Sequence, residues 1–219
     1  MVIKMCGIIG YYSDNSTNAG NIIIEGLKKM EYRGYDSWGF AIKTGKEIVV
    51  KKNVGSISEV KEGSNTKCKQ AIGHTRWATH GKVTKQNAHP HSSCNNNICV
   101  VHNGIIENYH DLKKNLEEKN YVFKSQTDTE VIPLLIDYYY KNSKNFTESI
   151  KKASEDLKGS YAFIAMCSDF DGLVGIKKGA PLLIGHGKGE YFITSDVVAF
   201  VEYTKDVTYL DDNEMVIIG

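Results

Sequence analysis

Proline is scarce in this chain, at three in 219 residues, and no Pro-, Ser- or Gly-rich stretch divides it. Without a linker or a shift in composition, a single domain over residues 1–219 is the expectation. No apolar run approaches the ~18 residues of a membrane span, and the start, Met1-Val2-Ile3-Lys4-Met5-Cys6, lacks the apolar stretch of a secretory signal. Neither sign of charge is in excess: 27 basic and 26 acidic residues leave a formal +1. The lysine pairs at 51–52, 151–152 and 177–178 sit among acids like a solvated surface, so neither nucleic acid nor membrane is an expected partner. Five cysteines, an odd number with no C-x-x-C, argue against a disulfide framework and for a reducing, cytoplasmic setting. No Walker-type or G-x-G-x-x-G loop is present, so no nucleotide cofactor is expected. His89-Pro90-His91 and Cys94 offer three candidate ligands in six residues. No second pair follows at zinc spacing, and no metal is expected.

What the chain does have is many short apolar runs. Those at 8–12, 40–42, 48–50, 72–74, 98–101, 161–166, 173–176, 182–184, 191–193, 207–210 and 215–218 read as strands, often bounded by Gly, Asp or Asn. Helical spacing covers 21–30, 109–119, 129–140 and 147–157, with Thr129 and Thr147 as candidate N-terminal capping positions. Strands come in runs and helices cluster, which predicts an α+β layering of antiparallel sheets.

Cys6 is the sharpest chemical signal. If it becomes the N-terminus, one residue carries a thiol nucleophile and an α-amine of pKa near ~7.7–8.0 to move its proton. Met1–Met5 stand in front of it, and while they remain there is no free amine. Four polar segments lie where strands fade into loops, the usual location of functional side chains: 32–37, 73–81, 102–104 and 125–130. Arg76, with Thr79 and His80 nearby, offers a fork suited to a carboxylate, against the alternative of a surface salt bridge. Asn103-Gly104 can aim two N–H groups at one oxyanion, against the alternative of an ordinary hairpin turn. Asp128 can receive an ammonium or simply cap a helix. Together these groups fit an amino acid whose side chain carries a cleavable amide, and glutamine is that molecule.

At these residues the chain resembles the N-terminal-cysteine (class II) glutamine amidotransferases of the Ntn-hydrolase fold. Within them it is most similar to the glutaminase domains of the glutamine–fructose-6-phosphate aminotransferases. The motifs are Cys6-Gly7-Ile8-Ile9-Gly10, Glu31-Tyr32-Arg33-Gly34-Tyr35-Asp36-Ser37, residues 74–81, Asn87-Ala88-His89-Pro90-His91, residues 101–108, Thr127-Asp128-Thr129-Glu130 and Thr194-Ser195-Asp196. The resemblance implies a four-layer αββα sandwich of two antiparallel sheets, and no cofactor. It implies Cys6 as nucleophile and base, Asn103 and Gly104 as the oxyanion hole, and Arg76, Thr79 and His80 at the glutamine carboxylate. It further implies Asp128 at the ammonium, Arg33 near the thiol, and Trp77 shaping the pocket and the ammonia exit. Expected partners are glutamine, a sugar-isomerase domain or subunit that binds fructose 6-phosphate, and a second copy of the chain in a homodimer. The sugar-isomerase part is expected outside these 219 residues, and residues 1–5 are expected to be removed, unless translation starts at Met5 and residues 1–4 are an over-extended start. Two alternatives stand: a silent regulatory or docking subunit that never frees Cys6, and a glutaminase feeding another acceptor. Trp38 stands where the family usually has a small residue, which raises the expectation of altered packing beside the glutamine loop.

Overall fold

The computed structural model describes residues 6–61, 63–78 and 81–219. Among these, the first six strands are β1 (Gly7–Thr17), β2 (Ser37–Thr44), β3 (Glu47–Val54), β4 (Cys68–Arg76), β5 (His91–Ser92) and β6 (Ile98–Ile106). Six more follow: β7 (Gly159–Cys167), β8 (Leu173–Lys178), β9 (Leu183–His186), β10 (Glu190–Thr194), β11 (Val207–Tyr209) and β12 (Met215–Ile218). The helices are α1 (Ala19–Lys29), α2 (Tyr109–Glu117), α3 (Val131–Ser143) and α4 (Phe146–Asp156). One sheet runs β11-β9-β10-β1-β4-β2-β3 and the other β12-β8-β7-β6-β5. All of these strand pairings are antiparallel. The α+β layering read from the sequence is therefore the fold. No helix among the described residues is long and apolar enough to cross a membrane.

Strand alternation explains the four layers, because successive side chains point to opposite faces. Ile8 and Tyr12 of β1 face the second sheet with Ile72, Val101, Ile164 and Ile193. Ile9 and Tyr11 face the other way, onto Ile23, Ile24 and Leu27 of α1. On the outer face of the second sheet, Val100, Phe163 and Val174 bury against Ile132 and Ile136 of α3 and Ile150 of α4. Helix, sheet, sheet and helix thus enclose three apolar layers.

Three local readings need correction. The helix expected from residue 129 begins at Val131, because Asp128–Glu130 form a 3₁₀ turn and the Thr129 hydroxyl is drawn to histidine rings. The cap of α4 is Asn145, whose Oδ1 accepts the Glu148 N–H at 3.1 Å, and not Thr147. The Trp38 ring turns away from the inter-sheet face that carries His74 and Arg76. Its position in β2 turns it to the α1 face, where it stacks on Phe40 at 6.4 Å and is 3% exposed. A large ring is accommodated there by the outer core.

The same alternation aims the site. On β4, His74 and Arg76 share the inter-sheet face with Ile72, and the register Gly7↔Thr75 brings Cys6 level with Arg76. On β6, Asn103 falls on the face of Cys99 and Val101, toward the thiol. His102 falls on the opposite face, toward the 3₁₀ turn at Asp128.

Candidate active site

Cys6, at the entry to β1, is only partly buried. Its Sγ accepts the Trp77 N–H at 3.2 Å and faces the Trp77 carbonyl at 3.5 Å. Burial pushes the thiol pKa up, while the Trp77 N–H and the charges of Arg76 and Arg33 pull it down without overcoming burial. At neutral pH the group is therefore a thiol, and its attack needs a base.

The Cys6 carbonyl is fixed by two donors, Asn103 Nδ2 at 2.8 Å and Arg33 Nε at 3.2 Å. An amide nitrogen carries two hydrogens, so the bond to Cys6 leaves Asn103 one donor for a developing oxyanion. Arg33 is held in turn by Asp196, with Nη1–Oδ2 at 3.0 Å, and Tyr32 donates its hydroxyl to the same carboxylate oxygen. Gly104 adopts φ +116°, and a Cβ there would meet the Ser160 carbonyl oxygen at 2.1 Å. Only glycine fits this left-handed position, which brings β6 against Ser160 and Tyr161 of β7.

Cys6, Arg76, Trp77, Gly104 and Asp128 line one small cavity of ≈30 Å³. Arg76 is 4% exposed, and its guanidinium donates to the carbonyls of Lys82 at 3.3 Å and Gly81 at 3.5 Å. Asp128 caps no helix. Its Oδ2 accepts the Ile106 N–H at 2.7 Å, locking the end of β6 to the 3₁₀ turn. Trp77 meets Tyr35 edge-on at 5.1 Å. The structure thus brings Cys6, Arg33, Arg76, Trp77, Asn103, Gly104 and Asp128 together. Thr79 and His80, expected at the same pocket, lie outside the described residues.

Sequence reasoning missed the supporting shell. Asp36 accepts the Ala78 N–H at 2.9 Å and donates its own N–H to the Arg76 carbonyl, tying the Tyr32–Ser37 segment to the end of β4. Asn87 holds Lys82 and Gln126 together, donating to the Lys82 carbonyl at 2.9 Å and accepting the Gln126 N–H at 2.9 Å. Both residues sat inside quoted motifs, but a role in bracing loops has no signature in spacing.

The histidines considered as metal ligands form a buried hydrogen-bonded cluster instead. Cys94 is exposed and faces the Val122 carbonyl, and among the described residues no three donor side chains gather as a metal group. His89 Nδ1 accepts the His102 N–H at 3.3 Å, so a neutral His89 carries its proton on Nε2 and donates to Thr129 Oγ1 at 3.3 Å. Thr129 can then donate to His102 Nδ1 at 2.8 Å. His74 Nε2 meets the His102 carbonyl at 3.0 Å, where only an N–H is accepted, and the ring stacks on His89 at 3.8 Å. His91 Nε2 pairs with Thr127 Oγ1 at 3.1 Å. His89, His102, Thr127 and Thr129 also line the cavity beside Cys6, so the cluster forms its inner wall.

Comparison with known proteins follows the same lines. The family described as "Glutamine amidotransferase domain" matches residues 74–202. Glutamine–fructose-6-phosphate aminotransferases (isomerizing) are similar over 98% of this chain, with 44% identity for that of Clostridium perfringens and 47% for that of Methanococcus maripaludis. The chain spans only 35% and 37% of those relatives' lengths. Among solved structures, the glutamine phosphoribosylpyrophosphate amidotransferase of B. subtilis superposes with a TM-score of 0.79 at 32% identity, over 97% of this chain and 47% of its own. A predicted glutamine amidotransferase from Pseudomonas aeruginosa shares the fold at 16% identity and a TM-score of 0.54, over 98% of this chain and 96% of its own. With a thiol, an amide donor, a guanidinium and a carboxylate converging at one end of two antiparallel sheets, and with the family matched over more than half of the chain, this chain belongs to the glutamine amidotransferase family.

Proposed function

We propose that residues 1–219 are one glutaminase domain, which hydrolyses the glutamine side-chain amide through a Cys6 thioester. The ammonia would go to fructose 6-phosphate held by a sugar-isomerase domain or subunit, giving glucosamine 6-phosphate in the cytoplasm. The observation that carries this reading is the shared cavity of Cys6, Arg76, Gly104 and Asp128, with Asn103 Nδ2 2.8 Å from the Cys6 carbonyl. Arg76 is suited to the α-carboxylate, with Thr79 and His80 as its expected neighbours. Asp128 Oδ2 is engaged by Ile106, so Oδ1 is the oxygen for the α-ammonium.

Once residues 1–5 are removed, the Cys6 α-amine takes the thiol proton as sulfur attacks the amide carbon. Asn103 Nδ2 and the Gly104 N–H hold the resulting oxyanion. The tetrahedral centre collapses, the C–N bond breaks, and the α-ammonium returns the proton to the leaving nitrogen as ammonia. Water then adds to the thioester with the amine again as base, releasing glutamate and the free thiol.

Glutamate release from glutamine tests this directly. Asn103→Ala is expected to lower kcat by roughly 10²–10³, while Asp128→Asn and Arg76→Lys raise KM more than they lower kcat. Equal kcat in Asn103→Ala and the unaltered protein would remove Asn103 from the oxyanion hole. Ammonia transfer is read separately, as glucosamine 6-phosphate formed with the sugar-isomerase part present.

A further inference from the structure

A second cavity, of ≈590 Å³, lies across the His91–Thr127 contact from the thiol. Its volume falls in the range of sites for small organic ligands, roughly 300–1,000 Å³. Ile48, Val50 and Pro90 supply apolar lining, and Lys52, Lys85 and Lys124 supply three cations. None of these lysines forms an ion pair among the described residues.

Lysines are usually solvated surface groups, and two of these, Lys85 and Lys124, are exposed. Lys52 departs from that pattern. It is drawn into the wall, where its Nζ donates to the Pro90 carbonyl at 3.1 Å and the Gln86 carbonyl at 3.3 Å. An ammonium has three hydrogens, so one donor remains beyond these two carbonyls. Burial and the nearby charges of Arg76 and Lys85 lower its pKa, opposed by Glu130. Glu130 is the lining carboxylate, but its oxygens accept the N–H groups of Lys124 at 2.9 Å and Ser125 at 2.7 Å. That carboxylate is committed to holding the 124–130 turn. The cavity wall therefore carries a net positive charge beside an apolar surface.

We propose that this cleft binds a small organic phosphate, its phosphate held by Lys52, Lys85 and Lys124 and its carbon skeleton laid on Ile48, Val50 and Pro90. Lysine suits a phosphate as a compact point charge that needs no planar match. The site is separate from the glutamine cavity and holds whether or not Cys6 is active.

Isothermal titration of the purified protein with phenyl phosphate and with inorganic phosphate, at ~0.1 M salt, reads the site. Phenyl phosphate is expected to saturate with a Kd below ~1 mM and inorganic phosphate to bind at least several-fold more weakly, for want of the apolar contact. The double variant Lys85→Gln/Lys124→Gln changes only exposed side chains and should weaken phenyl phosphate binding at least tenfold with an unchanged melting temperature. Lys188→Gln/Lys205→Gln, exposed at the edge of the first sheet opposite β3, should not weaken it. No saturable binding of phenyl phosphate, or equal losses in the two double variants, would overturn the proposal.

Discussion

Replacing Cys6 with Ala should lower glutamate release from glutamine by roughly 10⁴-fold or more, leaving only what the oxyanion donors contribute without a nucleophile. The fold should survive. Cys6 lies at the entry to β1, its Sγ hydrogen bonds among the described residues go to the Trp77 backbone, and its carbonyl stays clamped by Asn103 and Arg33. A melting temperature close to that of the unaltered protein should therefore accompany the loss. The pH dependence carries further information. Because burial holds the thiol pKa up, the ionisation that controls the rate should be that of the α-amine, with activity rising through the ~7–8 region expected of a terminal amine. Intact mass belongs in the same experiment, because a chain that keeps Met1–Met5 has no such amine. Turnover by Cys6→Ala at the rate of the unaltered protein would end the assignment. A mature mass that includes residues 1–5, with no glutamate released, would favour the silent docking subunit.

The second large effect is on stability in mild acid. His74, His89, His91 and His102 are at most 5% exposed, and burial lowers the pKa of each, that of His74 to about 3. Hydrogen bonding explains why neutrality is required: a second proton on His89 would displace the His102 N–H from Nδ1. In the unfolded chain all four rings protonate near pH 6.5. The unfolded state then binds more protons, so this part of the stability is complete above pH ~6.5 and is lost as pH falls toward the folded-state pKa values. Because four rings are held neutral together, the loss is expected to be steep against the ~5–15 kcal/mol stability of a typical domain. The urea midpoint should fall steeply between pH 7 and 5.5. A midpoint independent of pH over that range would show that the rings are not held neutral.

How much of this was legible in sequence varies with the range of the interaction. The strands at 8–12, 72–74, 98–101 and 161–166 could be read because alternation is local and every apolar run bounded by turn residues reports it. Cys6, Arg76, Asn103 and Asp128 could be singled out because each residue type has limited chemistry, but of the four only Arg76 ends a strand: Cys6 precedes β1, Asn103 lies within β6, and Asp128 opens the 3₁₀ turn before α3. The capping of α4 by Asn145 and the 3₁₀ turn before α3 were not legible. Competing hydrogen-bond partners decide such ends, and here Thr129 found its partners 27 and 40 residues away in His102 and His89.

By itself, then, the sequence determined the α+β layering and singled out the thiol, guanidinium, amide and carboxylate of the candidate site. These follow from periodicity and from the intrinsic chemistry of a few side chains. Tertiary structure decided what those side chains do when brought together. The pairing of β1 with β4 levels Cys6 with Arg76, and the inward face of β6 sets Asn103 on the Cys6 carbonyl. The joining of β6 to the 3₁₀ turn made Asp128, read as a candidate cap or ammonium partner, the acceptor that holds the Ile106 N–H, and four dispersed histidines came together in one buried cluster. Which face of β2 takes the Trp38 ring was likewise decided by packing, which buries it with Phe40 against α1. The physical reason is common to all of these. Hydrogen bonds and burial between residues far apart in the chain depend on register and on which face a strand presents, and neither is fixed until the sheets have packed.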